Sequence, residues 1–425
     1  MDLRAGFSEV DITPPLGTHR IGWLMDIVAD RVLDPLSARI AILAAGEKTI
    51  AFVQLDTLTV RWTTTNAIRQ AVSERYGYPG ACVMVSATHN HAGPAVANCG
   101  DVARDDEYLA TLLEKITIAF GQAYEALQPA KVGVGSCFNF DIARNRRVVM
   151  RDGTVRTHAT FDDPLALCIE GPIDPEVAVL AARDTAGRPL GCIVNYACHP
   201  AHHGGTTLLS AGYPGVLAAA MKAEGWPVTL FLNGAAGNVH SSDPAKGLTD
   251  WTMERVGERL AEDTRGVIET LDFRKTVRLD SRSATVSLPY RRFTDAEVAG
   301  DLRGAQRFID SAIYDRGMPG LLERIRTRGT QPAEVQAHFL DEYAFTGVPA
   351  EYFVELGLRI KEETYPRHTL VVSHANGNVG YVPHAAAFKR GGYETTFAGS
   401  SRMAPEAGDL LADQAIVLVR EQPTA

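Results

Sequence analysis

Four short apolar runs in this sequence each end in a polar, glycine-rich constellation. CVMVSA runs into Thr88-His89-Asn90-His91-Ala92-Gly93-Pro94, and CIVNYA into Cys198-His199-Pro200-Ala201-His202-His203. TLFL runs into Asn233-Gly234-Ala235-Ala236-Gly237-Asn238-Val239-His240, and LVVSHA into Asn376-Gly377-Asn378-Val379-Gly380-Tyr381. Seven of the twelve histidines stand at these four ends, His374 included. Ligands of open α/β sheets bind outside the carboxyl ends of strands, so four such ends can converge on one crevice. Imidazole suits zinc, and a histidine site without thiolates is of the catalytic kind that keeps a coordination position open.

The His-x-His pair His89/His91 projects its rings to opposite faces if the backbone is extended. One ring is then expected to ligate and the other to serve the substrate. A second histidine donor is expected from the cluster His199, His202, His203. Two imidazoles leave a catalytic zinc short of a ligand, so an oxygen donor is needed, and Glu351 at the head of the helix PAEYFVELGLRIKEE is one of many candidates. NGAAGN offers backbone amides to an anion or is a tight turn. ARNRR, with Arg144, Arg146 and Arg147, offers guanidinium groups to a carboxylate or carbonyl, or is a solvated basic turn. There is no G-x-S-x-G elbow, Walker loop or Rossmann G-x-G-x-x-G after a strand, and Ser241 and Ser242 beside His240 make no triad by adjacency.

The elements that position these residues are read from periodicity. Residues 37–56 form a hairpin signal around Gly46-Glu47-Lys48. Thr63 to Tyr76 reads as a helix, Ala81 to Ala87 as a buried strand, Asp105 to Leu127 as a helix and Lys131 to Phe140 as a strand. Residues 176–182 and 191–198 form a second hairpin. A helix over Tyr213 to Glu224, a strand over Val228 to Leu232 and a long helix from Asp250 to Leu271 follow. Thr276 to Leu288 reads as a strand, most of 294–365 as helical, Thr369 to Ser373 as a strand and Pro405 to Val419 as a helix. This order predicts an α/β fold with a mixed β-sheet core flanked by helices and a metal site at the ends of several strands. One domain over 1–425 is expected, with a helix-rich insertion or cap near 290–348.

Composition narrows the class. The chain has 425 residues, 45% hydrophobic and 22% charged, with a net charge of −9. Its only dense basic clusters are Arg144 to Arg147 and Arg324 to Arg328, so nucleic acid is not expected as a partner. No window resembles a secretory signal or a membrane span. The six cysteines are scattered without a C-x-x-C pair, and most lie in apolar runs, which predicts buried reduced thiols and a cytoplasmic location. The expected partner is a small-molecule substrate, and a homo-oligomer is compatible with the sequence.

At these motifs the sequence resembles the neutral/alkaline non-lysosomal ceramidase family, in its catalytic domain. AGFSEVDITPPLG looks like that family's opening, VSATHNHAGP its Thr-His-Thr-His-Ser-Gly-Pro segment, ARNRR its Asn-Arg-Ser segment and NYACHP its second histidine strand. GVPAEYFVELGLRIK is similar to its Pro-Gly-Glu segment and ANGNVGYVP to its final tyrosine segment. Order is kept across six motifs from 5 to 395. The resemblance implies one Zn2+ bound by His89, His199, Glu351 and Tyr381, with His91 as proton relay and Arg146 on a substrate oxygen. The sequence departs from the family where a serine proposed as catalytic is replaced by His240, and where Asn378 replaces the first tyrosine of the final motif. No C-terminal immunoglobulin-like domain is expected. Together these features predict a zinc-dependent hydrolase cleaving an amide (N-acyl) bond by metal-activated water, with His91 or His240 moving the proton and Arg146 and the 233–238 amides stabilising an oxyanion. Ester or lactone hydrolysis on the same site, or a catalytically dead binding relative, are the alternatives.

Overall fold

The computed structural model describes residues 1–246 and 251–421. Its principal elements begin with β1 (Leu3–Asp11), β2 (Ser37–Ala45), β3 (Lys48–Leu55), α1 (Trp62–Tyr76), β4 (Val83–Ala87), α2 (Asp106–Glu125) and β5 (Gln128–Phe138). β6 (Glu176–Asp184), β7 (Pro189–Tyr196), α3 (Gly212–Ala223), β8 (Thr229–Asn233) and α4 (Met253–Thr270) follow. The chain closes with β9 (Leu279–Pro289), α5 (Ser311–Arg328), β10 (Thr330–Leu340), β11 (Tyr343–Gly347), α6 (Val354–Glu363), β12 (His368–Val372) and α7 (Ala407–Arg420).

Eight strands form one sheet in the order β8-β7-β6-β5-β1-β2-β3-β4, and four form a second in the order β9-β10-β11-β12. The sheets share one apolar layer: Leu43, Phe52, Met84, Leu180 and Leu230 meet Leu279, Leu340, Phe345 and Leu370. The Phe52 and Phe345 rings lie 5.2 Å apart, edge to face. Helices α1 and α2 cover one half of the larger sheet's outer face and α3 and α4 the other half. Helices α6 and α7 cover the smaller sheet. The result is four layers, helix–sheet–sheet–helix. Two-sided covering explains why β2 is buried at every position and apolar without a break from Ile40 to Ala45, rather than alternating.

Local signals fix the helix ends. The Asp105 side chain accepts the Tyr108 amide and caps α2, the Thr252 hydroxyl accepts the Arg255 amide and caps α4, and Gly77 ends α1 at φ 66°. Most neighbouring strands run antiparallel, but β3/β4, β7/β8 and β11/β12 run parallel. Parallel neighbours finish on the same side, and β4, β7, β8 and β12 are the four strands that end in the histidine- and asparagine-rich segments.

The mixed sheet flanked by helices is therefore as expected, and both hairpins are present. Three expectations need correction. The helical reading of 294–365 fails over Thr330–Gly347, where β10 and β11 stand; short apolar runs do not distinguish helix from strand without knowing what they pack against. Glu351 does not head a helix. It lies in a two-residue strand, Glu351–Tyr352, paired in parallel with Tyr381–Val382, and α6 begins at Val354. Of the cysteines only Cys192 and Cys198 are buried, and Cys168 is exposed because its strand edges a small three-stranded sheet. Asp250, where the long helix was expected to start, lies outside the described residues. Strand β1 was not anticipated. Among the described residues no helix is long and apolar enough to cross a membrane.

Candidate metal centre

Strands β4 and β8 occupy opposite ends of the larger sheet's order, yet their carboxyl ends meet. Asn233 Nδ2 donates to the Thr88 carbonyl at 3.3 Å. The end of β12 is sewn between them: the Ser373 amide donates to Asn233 O at 2.8 Å and the Ala87 amide to His374 O at 3.2 Å. The His199 amide donates to Val239 O at 3.1 Å, which brings the β7 exit to the same place.

Here three imidazoles converge. Nε2 of His89 lies 2.9 Å from Nε2 of His199, and Nε2 of His91 lies 3.1 Å from each. The expectation that His89 and His91 face apart assumed an extended backbone. His89 instead has φ 68°, a left-handed conformation that a residue with a β-carbon adopts at a cost, and it turns both rings inward. Every Nδ1 in the trio faces a backbone carbonyl: His89 to Leu58 (2.8 Å), His91 to Gly22 (2.8 Å) and His199 to Ala236 (3.2 Å). A carbonyl only accepts, so each Nδ1 carries the proton and each Nε2 presents a lone pair. Burial, then the neighbouring His89, pushes His91 and His199 well below the usual imidazole range. Three neutral lone pairs aimed at one point repel one another unless something positive sits between them. The cluster can hold a metal ion, and its donors are of the type that suits zinc.

Oxygen donors stand beside the nitrogens. Glu351 Oε2 lies 3.4 Å from His89 Nε2. The short parallel pair places Glu351 directly opposite Tyr381, so one backbone register delivers both. Tyr381's hydroxyl accepts from Arg146 Nη2 at 3.2 Å; burial, then the Glu351 carboxylate, nevertheless pushes this phenol well above its ordinary range and keeps it protonated.

Arg146 itself is buried and committed to protein. Its Nε donates to Glu394 (2.9 Å) and its Nη2 also donates to the Gly237 carbonyl (2.8 Å). Through Nη2 it bonds both Tyr381 and the 233–238 loop. That loop is a turn: the Gly234 amide is spent on Tyr196 O and the Gly237 amide on Tyr352 O. Asn238 completes the junction, its Oδ1 accepting the Val354 amide at the head of α6 and its Nδ2 donating to Glu355.

His240 stands next to the trio, its ring centroid 6.3 Å from that of His199 and 5.2 Å from that of His158. The Ser242 amide donates to His240 Nδ1 at 2.9 Å, so in the neutral ring Nε2 carries the hydrogen. Burial and the neighbouring His158 hold His240 well below the ordinary imidazole range. His240 therefore presents an Nε2–H donor beside the trio. His202 is bonded to the Trp251 carbonyl and takes no part in the trio.

Three contributors escaped the sequence reading. Glu394 joins Arg146, Arg147 and Thr157. His374, at φ 55°, stacks on His89 with centroids 4.0 Å apart. Arg20 ties the carbonyls of His91 and His203 together at 3.1 Å each. Only His374 carried a signal, as one of the histidines at the four strand ends.

No family model matches the chain, and no curated protein matches it in sequence. Solved structures do. The neutral ceramidase from Pseudomonas aeruginosa aligns over 100% of this chain and 76% of its own, with TM-score 0.77 and 20% identity. A ceramidase complexed with C2 aligns over the same shares, with TM-score 0.77 and 19% identity. The chain has a ceramidase-like fold.

Proposed function

We propose that this protein is a zinc-dependent hydrolase of an amide (N-acyl) bond in a small molecule. The observation that carries the reading is the convergence of three tautomer-fixed Nε2 lone pairs beside Glu351. The likeness to ceramidase structures supports the amide over other bonds. The proposed donors are His89, His199, Glu351 and Tyr381. The cation, when bound, supplies Lewis acidity that polarises a carbonyl and acidifies a water.

The chain's own residues divide the proton work. His91 Nε2, unprotonated and 3.1 Å from both His89 and His199, takes the proton of the attacking water and returns it to the leaving amine. His240, fixed as an Nε2–H donor, steadies the oxygen of the tetrahedral intermediate. Glu394, through Arg146, holds Tyr381 in register with Glu351. The six unpaired cysteines support a cytoplasmic setting.

The two imidazoles should separate on mutation. His91→Ala is expected to keep its metal and lose about 10²–10⁴-fold in kcat, the span of a general base. Loss of metal from this variant would make His91 a ligand. His240→Ala is expected to lose about 10²–10³-fold in kcat with KM and metal content little changed; a loss under about fivefold would reduce it to packing.

A hydrolysis panel of N-acyl amines, matched esters and lactones tests the bond. The cavity that reaches Glu351 is about 300 Å³, the low end for small-molecule sites. The ceramidase likeness predicts cleavage of short N-acyl amines, and a cavity of this size predicts that long-chain ceramide is a poor substrate. Ceramide turnover equal to that of short N-acyl amines would overturn the small-substrate reading, and esters cleaved in preference would overturn the amide assignment.

A further inference from the structure

The short basic run Arg324 to Arg328, unused by the chemistry above, lies on α5 and lines the cleft. Two cavities meet there. One, of about 300 Å³, reaches Glu351 and has an apolar wall that includes Leu58, Ile313, Met318 and Leu321. The other, of about 390 Å³, lies between the start of α1 and the end of α5. Both are lined by Arg61, Arg324, Asn378 and Arg402.

Among the described residues no carboxylate lies within ion-pair distance of Arg61, Arg324 or Arg402. Arg402 is only 8% exposed, and its bonds go to neutral oxygens: Gln331 at 3.3 Å, Gly399 O at 2.6 Å and Asn378 O at 3.2 Å. Only two acids line either cavity. Glu334 is already engaged by both Nη atoms of Arg69, at 2.8 and 3.0 Å, and Glu351 belongs to the histidine cluster. Burial, then the positive charges of Arg324 and Arg61, brings Arg402 down to about 10. Burial, then Arg324 and Arg104, also lowers Arg61. Arg61 and Arg402 are therefore destabilised by burial and by the positive charges beside them, a cost that an incoming anion would relieve.

We propose that Arg61, Arg324 and Arg402 form an anion subsite, and that the substrate amide carries a single small anionic group, carboxylate or phosphate, seated there while the scissile bond lies at Glu351. The inference deepens the amide-hydrolase reading and rests on it for the nature of the scissile bond. Guanidinium suits such groups because its planar fork pairs with two oxygens at once. The substrate's apolar portion would lie along the wall formed by Leu58, Ile313, Met318 and Leu321.

Three N-hexanoyl amines test this on the metal-loaded protein: N-hexanoylglycine, N-hexanoyl-2-aminoethyl phosphate and neutral N-hexanoylethanolamine. At least one charged amide should exceed the neutral one in kcat/KM by about tenfold or more, mainly through KM, as expected for a charge-assisted contact. Whichever is preferred identifies the anion. Arg61→Gln and Arg324→Gln, at less buried positions than Arg402, should collapse the ratio of charged to neutral; a purely structural defect would lower both together and leave the ratio intact. Binding of hexanoate by calorimetry reads the subsite without any cleavage. Hexanoate binding weakened in both variants, with no amide cleaved, would keep the subsite and sink the hydrolase reading. Neutral and charged amides cleaved equally, with hexanoate binding unchanged in both variants, would sink the subsite and keep the hydrolase.

Discussion

His199→Ala and, separately, His89→Ala should each release the metal and abolish hydrolysis together. Each removes a donor whose ring is fixed by its own Nδ1 contact, to Ala236 O and Leu58 O respectively. Loss of even an outer-sphere partner typically costs about 10–100-fold in metal affinity, so loss of a direct donor should exceed about 100-fold. Metal content after gel filtration checks it, with circular dichroism to show that the variant is folded. His89→Ala also removes the ring on which His374 stacks, so His199→Ala is the cleaner of the two. Stoichiometric metal in both variants would refute the ligand assignment.

Glu394→Gln should be the most destabilising single charge removal near the site. The carboxylate is fully buried and accepts from Arg146 Nε (2.9 Å), Arg147 Nη1 (2.8 Å) and the Thr157 hydroxyl (2.7 Å). Without its charge, Arg146 and Arg147 lose the acid they share, and breaking a buried pair in this way costs about 3–5 kcal/mol. Burial alone would raise this carboxyl, but Arg146 and Arg147 outweigh it and hold it at about 2. A folded value below the ordinary carboxylate range means that the stabilisation is complete above about pH 5 and is lost as the pH falls toward 2, a swing of about 3 kcal/mol. Urea denaturation of wild type and variant should therefore differ most at pH 7, with the gap closing toward pH 3. A constant gap across that range would show that the carboxylate's charge is not what stabilises the fold. Because Arg146 also holds the Tyr381 hydroxyl, kcat should fall even where the variant remains folded.

The parts of this architecture legible in the sequence are those written locally. Apolar runs stopping at His89, His199, Asn233 and His374 mark strand ends, and buried strands advertise themselves by hydrophobicity alone. The six ordered motifs add Glu351 and Tyr381; the structure sets Glu351 3.4 Å from His89 and pairs Tyr381 with Glu351 in the backbone register. What stayed hidden depends on distant partners. The turn of His91 toward His89 follows from one left-handed residue, which no periodicity reveals. Glu351 reads as the start of a helix because its strand exists only through pairing with Tyr381. Glu394, in GGYETT, gains its meaning from arginines about 250 positions away in the sequence. The second sheet was missed over Thr330–Gly347 because the polar first half of β10 acquires its strand identity from β9 alongside it.

The most direct test of the central claim is amine release from a short N-acyl amine by purified protein, measured before chelation, after it, and after zinc is returned. Cleavage that disappears with the chelator and returns with about one zinc per chain is the predicted result. Cleavage that survives complete removal of metal, or no cleavage of any amide by zinc-loaded protein, would contradict it.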